Sequence, residues 1–380
     1  MAGCHAVWPI GTPGSFTYTP RFNGLAHLAP TGLRATRGLY CMAGRQFMKT
    51  RGKGWRIAAL AMGLAAAMVG GIGGASAQDK LKVAAVFETP IEEPWVNQIH
   101  VALQQAEREM GIEYAWSESV AAGDFSRVLR DYAEQGYQLI MGDSFGTEKI
   151  TRRVARDYPQ VAFVFGSGIG PAEPNFGVFD NWIHEPAFLA GMIAGKLTKT
   201  NVVGTVAAMP IPEVNRLSNA FCNGAKEAND QVKCKFSFIG SFFDPPKAKE
   251  AAIAQIEAGA DVLYAERFGV IEAAQEAGVA AIGNMSDQSK LAPDTVVTSV
   301  VWDMWPTVKQ AISLVKAGVY SSQDFGQFSY IGKGGSYLAP YHAWEDKLSP
   351  EIKQMVDARR QEILDGTYRV DINEAAPQSE

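Results

Sequence analysis

From residue 81 onward, short runs of β-branched and apolar residues alternate with longer stretches whose apolar positions recur every three to four residues. The first pattern predicts buried strands and the second amphipathic helices; their regular alternation predicts parallel sheets with crossover helices. Strands are predicted at residues 81–87, 112–116, 138–141 and 161–165, with helices at 95–110, 125–135 and 147–157 between them. After Val178-Phe179-Asp180 a helix at 185–197 opens a second set. It comprises strands at 202–207, 235–239, 262–264 and 279–282 and helices at 213–229, 246–258 and 270–277. A strand at 295–302, a helix at 305–317, a strand at 328–331 and a helix at 349–364 complete the chain. Gly136, Gly259 and Gly278 each follow a helical run directly, where a left-handed cap favours a residue without Cβ.

A chain that builds one doubly wound α/β lobe, then another, and then supplies elements to both must cross between them two or three times. Two doubly wound lobes joined by a hinge are therefore predicted. Residues 78–183 with 298–321 are assigned to the first lobe, and 184–297 with 322–380 to the second. Ligands of open α/β sheets sit beyond the carboxyl ends of the strands, so the cleft between the lobes is the expected site.

Ahead of the alternating region, Met48 to Arg56 is basic, residues 57–72 are apolar, and Ala75-Ser76-Ala77 precedes Gln78. This is the order of a cleavable export signal. The apolar segment is rich in Ala and Gly, whereas a membrane span needs about 20 strongly apolar residues. With Gln78 at the new N-terminus there is no cysteine to accept a lipid, and a periplasmic protein is expected. Residues 1–47, without an acidic side chain or a sustained period, read as sequence upstream of a true start at Met48. Residues 78–380 carry 27 basic and 40 acidic side chains, a formal charge of −13. That balance argues against nucleic acid or anionic lipid as partner. A monomer is expected.

Of four cysteines, Cys222 and Cys234 remain beyond the leader, and in an oxidising compartment they read as a disulfide tying a helix to the next strand. A metal or redox pair would want a Cys-x-x-Cys spacing or nearby His, and neither is present. His100, His184 and His342 stand in no metal spacing, there is no Gly-x-Ser-x-Gly or Walker loop, and residues 166–170 lack the dinucleotide glycine spacing. No cofactor, no metal and no catalytic chemistry are expected.

Several segments carry a resemblance. They are Met209-Pro210-Ile211-Pro212-Glu213-Val214-Asn215-Arg216, Asn219-Ala220-Phe221, Gly224-Ala225, Phe243-Asp244-Pro245, Gly259-Ala260-Asp261-Val262-Leu263 and Asp287-Gln288. In the first half Gly142-Asp143-Ser144-Phe145-Gly146, Tyr158-Pro159 and residues 188–195 join them. Together they resemble the basic membrane protein family of solute-binding proteins, which includes purine nucleoside receptors. The resemblance covers most of residues 80 to 315 and implies a type I periplasmic-binding-protein fold with three crossovers. It also implies delivery of a small ligand to the permease and ATPase of an ABC importer.

In the expected cleft, Trp95 begins a helix just beyond a strand and Phe145 follows another strand, so the two could sandwich a heteroaromatic ring. The alternative for Trp95 is a core position in its helix. The resemblance suggests an amide after the stacking aromatic, here Asn97 or Gln98. In the second lobe Glu213, Asn215, Glu266, Arg267 and Asp287 lie beyond strand ends and could fix a purine edge through paired donors and acceptors. The alternatives are a helix-terminus role for Glu213 and a rim ion pair for Glu266 and Arg267. Relatives that bind nucleosides carry Asp, Asp and Lys where this chain has Gly166, Met285 and Trp302. Hydroxyl-reading groups are thus replaced by groups that cannot pair with a sugar. A purine base such as adenine is expected. A nucleoside ligand, a sensor for a membrane receptor and a nucleoside-cleaving enzyme are the alternatives.

Overall fold

The first lobe is a five-stranded sheet in which every strand is parallel to its neighbours. In the computed structural model, which describes residues 80–166 and 168–380, its chain order is β1 (Lys82–Val86), α1 (Pro94–Met110), β2 (Glu113–Ser117), α2 (Ala122–Glu134), β3 (Leu139–Asp143), α3 (Glu148–Asp157), β4 (Ala162–Gly166) and β5 (Phe176–Phe179). The strands lie in the order β2-β1-β3-β4-β5. β3 and β4 are buried at every position, as a parallel sheet covered by helices on both faces requires.

The second lobe follows with α4 (His184–Leu197), β6 (Val202–Ala207), α5 (Pro212–Ala228), β7 (Lys233–Phe238), α6 (Pro245–Glu257), β8 (Val262–Ala265), α7 (Val270–Ala277), β9 (Ala280–Met285) and β10 (Val296–Trp302). Helix α8 (Trp305–Lys316) returns to pack on α1. Strand β11 (Ser336–Leu338) then runs antiparallel to β10 at the edge of a sheet ordered β11-β10-β9-β8-β6-β7, and α9 (Pro350–Leu364) packs on α4. Gly136, Gly259 and Gly278 all have positive φ, as their places after helical runs predicted.

Three chain passages join the lobes: β5 into α4, β10 into α8, and the segment after Gln323. Val178 N donates to Gln323 O at 3.0 Å and Phe325 N to Val178 O at 2.7 Å, so the third passage starts beside the edge strand of the first lobe. The first-lobe assignment of residues 298–321 needs correction, because 298–302 belong to β10, which pairs with β9 in the second sheet. The passage falls after Trp302.

Residues 328–331 were expected as a strand and instead form parts of two 3-10 turns, Gly326–Ser329 and Ile331–Lys333. Phe325, Phe328 and Ile331 stand three apart and pack toward the core, which is the period of that helix and not the alternation of a strand.

Helices α4 and α5 approach closely enough that a Cβ on Gly224 would lie 1.9 Å from Phe188 O, and one on Gly191 2.0 Å from Phe221 O. A disulfide joins Cys222 of α5 to Cys234 of β7 (S–S 2.06 Å), the helix-to-strand tie expected. The C-terminal tail lies along the same elements: Asn219 Nδ2 donates to Asn373 O and Ala375 O, and Glu380 N to Cys234 O. The expected leader, residues 1–77, lies outside the described residues. Among the described residues no helix is long and apolar enough to cross a membrane.

Candidate functional site

Each sheet reverses its direction of growth at one place. In the first, β2 and β3 flank β1; in the second, β7 and β8 flank β6. Loops leaving two adjacent strands at such a reversal diverge to opposite faces and leave a crevice at the carboxyl ends. One cavity is lined from both crevices: Glu88, Thr89, Glu93, Trp95, Val96, Asp143 and Phe145 come from the first lobe, and Glu213, Phe242 and Arg267 from the second.

In the first lobe the loops after β1 and β3 are laced by carboxylates. Asp143 Oδ1 accepts from Glu88 N at 3.0 Å, and Glu88 Oε1 accepts from Thr147 Oγ1 at 2.7 Å and Gly146 N at 3.2 Å. Glu93 caps α1, its Oε2 accepting from Trp95 N at 2.9 Å and Val96 N at 3.1 Å. With Pro94 in the first turn, this cap sets where the indole of Trp95 leaves the helix.

In the second lobe Glu266 does the equivalent work. Its Oε2 accepts from Ala208 N, beyond β6, at 2.9 Å and from Arg267 Nε at 2.9 Å, and its Oε1 accepts from Arg267 Nη2 at 2.7 Å. Arg267 Nη1 donates to Phe242 O at 2.7 Å and reaches Glu93 Oε1 across the cleft at 3.4 Å. Phe145 and Phe242 also meet across the cleft, edge to face, with centroids 5.0 Å apart.

Burial governs the electrostatics. It pushes the Asp143 carboxyl up to about 7, with Glu88 and Glu93 adding to the rise against the hydrogen bond from Glu88 N. Burial, then Asp180, push Glu213 up to about 8, against Arg216 and Arg267. Glu93 and Glu266 are also raised by burial although Arg267 opposes it.

Trp95 stacks on Phe179 at 5.6 Å and 17° and leans on Trp302 at 5.1 Å and 46°. Trp302 is itself fully buried, and its Nε1 donates to Ser329 Oγ at 2.9 Å. The far edge of the Trp95 indole rests on Gly166: a Cβ there would lie 1.8 Å from Trp95 Cη2. Trp95 Nε1 is buried and meets no acceptor among the described residues.

Of the residues singled out from sequence, Trp95, Phe145, Glu213 and Arg267 line the cavity. Glu266 stands behind Arg267, and Trp302 stands behind Trp95. Met285 is buried where the lobes meet, its Sδ 3.8 Å from Asn181 Nδ2. Four others do not line the cavity. Asn97 Nδ2 is spent on Ile91 O at 2.8 Å within its own loop, and Gln98 is half-buried along α1. Asn215 Nδ2 donates to Glu374 O of the tail at 2.9 Å. Asp287, partly exposed, pairs with His342 at 2.7 Å, and Met285 two residues before it has φ 65°.

Glu88, Glu93, Asp143 and Phe242 line the cavity and were not among the residues singled out from sequence. Glu88, Asp143 and Phe242 lie at or just past the ends of β1, β3 and β7, and that position was the available signal. Among the described residues no group of three or more His, Cys, Asp or Glu could hold a metal ion.

The family model described as ABC transporter substrate-binding protein, PnrA-like, matches residues 80–323. The purine-binding protein of Brucella abortus is 30% identical over 300 residues, covering 77% of this chain and 84% of that protein. A putative ABC transporter glucose-binding protein of Haloferax volcanii is 31% identical over 296 residues, covering 77% and 74%. Among solved structures, an ABC transporter solute-binding protein from Aeropyrum pernix superposes with a TM-score of 0.66 at 20% identity, covering 77% of this chain and 94% of that one. At that identity the superposition speaks for the fold, and the family match for the lineage: the chain belongs to the Bmp family of PnrA-like ABC transporter substrate-binding proteins.

Proposed function

We propose that this protein captures a purine base, adenine in the first instance, in the cleft between its lobes and presents it to the permease and ATPase of an ABC importer. Export by the leader at residues 48–77 would put it in the periplasm, and it carries out no reaction on its ligand. The relative from Brucella abortus is named for purine binding, and another, 27% identical over 281 residues, is the nucleoside-binding protein of Lactococcus lactis.

The observation that carries the choice of base over nucleoside is the packing of Trp95 on Gly166. The resemblance to nucleoside-binding relatives implies an Asp at the place of Gly166, and here even a Cβ would meet the indole at 1.8 Å. A hydroxyl-reading carboxylate and the buried indole therefore exclude one another at this site. Behind the indole, Trp302 and Phe179 fill the space on the inner side, and neither can pair with a ribose hydroxyl. The rest of the cavity suits a flat ring: Phe145 and Phe242 give apolar surface, and carboxylates give hydrogen-bond acceptors.

The test is mass spectrometry of small molecules released by denaturing protein purified from its native host. A purine base is expected. A nucleoside or glucose released in stoichiometric amount would overturn the proposal. Incubation with purine nucleosides should leave them intact, and release of free base would overturn the statement that the protein performs no chemistry.

A further inference from the structure

The polar groups that line the cavity are unevenly matched. Arg267 is the basic side chain among them, and four of its five N–H groups are engaged: Nε and one of Nη2 with Glu266, and those of Nη1 with Phe242 O and Glu93. Its charge is answered by Glu266, which stands behind it at 2.7 Å with almost no exposed side-chain surface. The cavity is also lined by Glu88, Glu93, Asp143 and Glu213, of which Glu93 already accepts from Trp95 N, Val96 N and Arg267. A carboxylate offers about four lone-pair positions. The bonds given to Glu88 and Asp143 from the protein use two positions on the first and one on the second. A second, separate observation concerns a donor: Trp95 Nε1 is buried at the cavity wall without an acceptor among the described residues.

We infer that the cleft selects a neutral or cationic ring bearing several N–H donors and one ring-nitrogen acceptor: an aminopurine, not an oxopurine that ionises to an anion. This inference rests on the purine reading and narrows it. An exocyclic amine and a ring N–H answer buried carboxylates, and an unprotonated ring nitrogen answers the indole N–H. A ligand carbonyl turned to the same carboxylates sets lone pair against lone pair, and a ligand anion adds like-charge repulsion in a desolvated site. The pattern is a selection by exclusion: affinity for the right ring follows from donors meeting acceptors, and discrimination from what the wrong ring leaves unpaired.

Isothermal titration of the protein with adenine, 2,6-diaminopurine, hypoxanthine and xanthine tests this, at a pH above the values to which burial raises Asp143 and Glu213, where these carboxyls and xanthine are all ionised. Adenine and diaminopurine should bind tightest, hypoxanthine more weakly, and xanthine roughly a hundredfold more weakly than adenine. Glu213→Gln and Asp143→Asn place an amide donor at the wall, and at least one should narrow the adenine-to-xanthine ratio by about tenfold. Xanthine binding within threefold of adenine in the wild-type protein would overturn the inference and leave the purine reading standing. The same ratio in wild type and both amide variants would also overturn it. Failure of every purine to bind would overturn both.

Discussion

Trp95 and Gly166 share one volume: the indole edge occupies the position from which any side chain on residue 166 would start, 1.8 Å from Cη2 to the ideal Cβ. Gly166→Ala should therefore overpack this corner of the cleft, at a cost of about 1–3 kcal/mol and a fall in melting temperature of a few degrees. Trp95→Phe removes the clashing edge, so the double variant should recover most of the loss seen with Gly166→Ala. Thermal denaturation of the four proteins decides it. A double variant no more stable than Gly166→Ala would mean that the indole is not what Gly166 accommodates.

Glu93 joins two functions, capping α1 in one lobe and meeting Arg267 of the other at 3.4 Å. Glu93→Gln keeps an oxygen for the cap and removes the charge that faces Arg267. Because Arg267 retains Glu266, the fold should hold, while the closed arrangement loses an attraction it makes and an open one does not. Ligand affinity should fall about tenfold, mostly through faster dissociation. Unchanged dissociation in a stopped-flow experiment would remove Glu93 from the closing contact.

Asp143 carries a pH signature. Burial raises its carboxyl from 3.8 to about 7, so between those values the folded protein holds a proton that the unfolded chain has lost. Its contribution is full below about pH 4 and is lost as pH rises to about 7. His184, lowered by burial from 6.5 to about 4, works the other way, favouring the folded state as pH rises through that range. The informative quantity is the difference in melting temperature between wild type and Asp143→Asn. It should move against the wild type by several degrees from pH 5 to 8, and a constant difference would contradict the buried carboxyl.

Reduction of the Cys222–Cys234 bond should lower the melting temperature, because closing a loop of about a dozen residues is worth around 3 kcal/mol. The bond sits on α5 and β7, away from the cavity-lining side chains. Adenine affinity in the Cys222→Ser/Cys234→Ser variant should match the wild type. A tenfold loss would show that the α5–β7 tie reaches the site through Glu213.

Much of the fold was legible because its signals are local. Strands buried on both faces read as apolar runs, and glycines at left-handed caps marked where α2, α6 and α7 end. The sheet to which β10 belongs was not legible, since it depends on pairing with β9, and nothing in residues 296–302 names that partner. Among the residues lining the cavity, Trp95, Phe145, Glu213 and Arg267 were reached by one rule, polar or aromatic residues just past strand ends. The same rule admitted Asn215 and Asp287, because residue type does not say which way a side chain points: Asn215 donates to the tail, and Asp287 pairs with His342. Glu88, Glu93 and Asp143 were passed over because acidic loop residues read as solvated until burial distinguishes them, and burial is a property of the assembled lobes.

The most direct test is calorimetric titration of ligand-free protein with adenine and with adenosine under identical conditions. The account predicts saturable one-to-one binding of adenine, with adenosine at least tenfold weaker because the Trp95–Gly166 corner leaves no partner for its ribose. Adenosine binding as tightly as adenine, or more tightly, would contradict it.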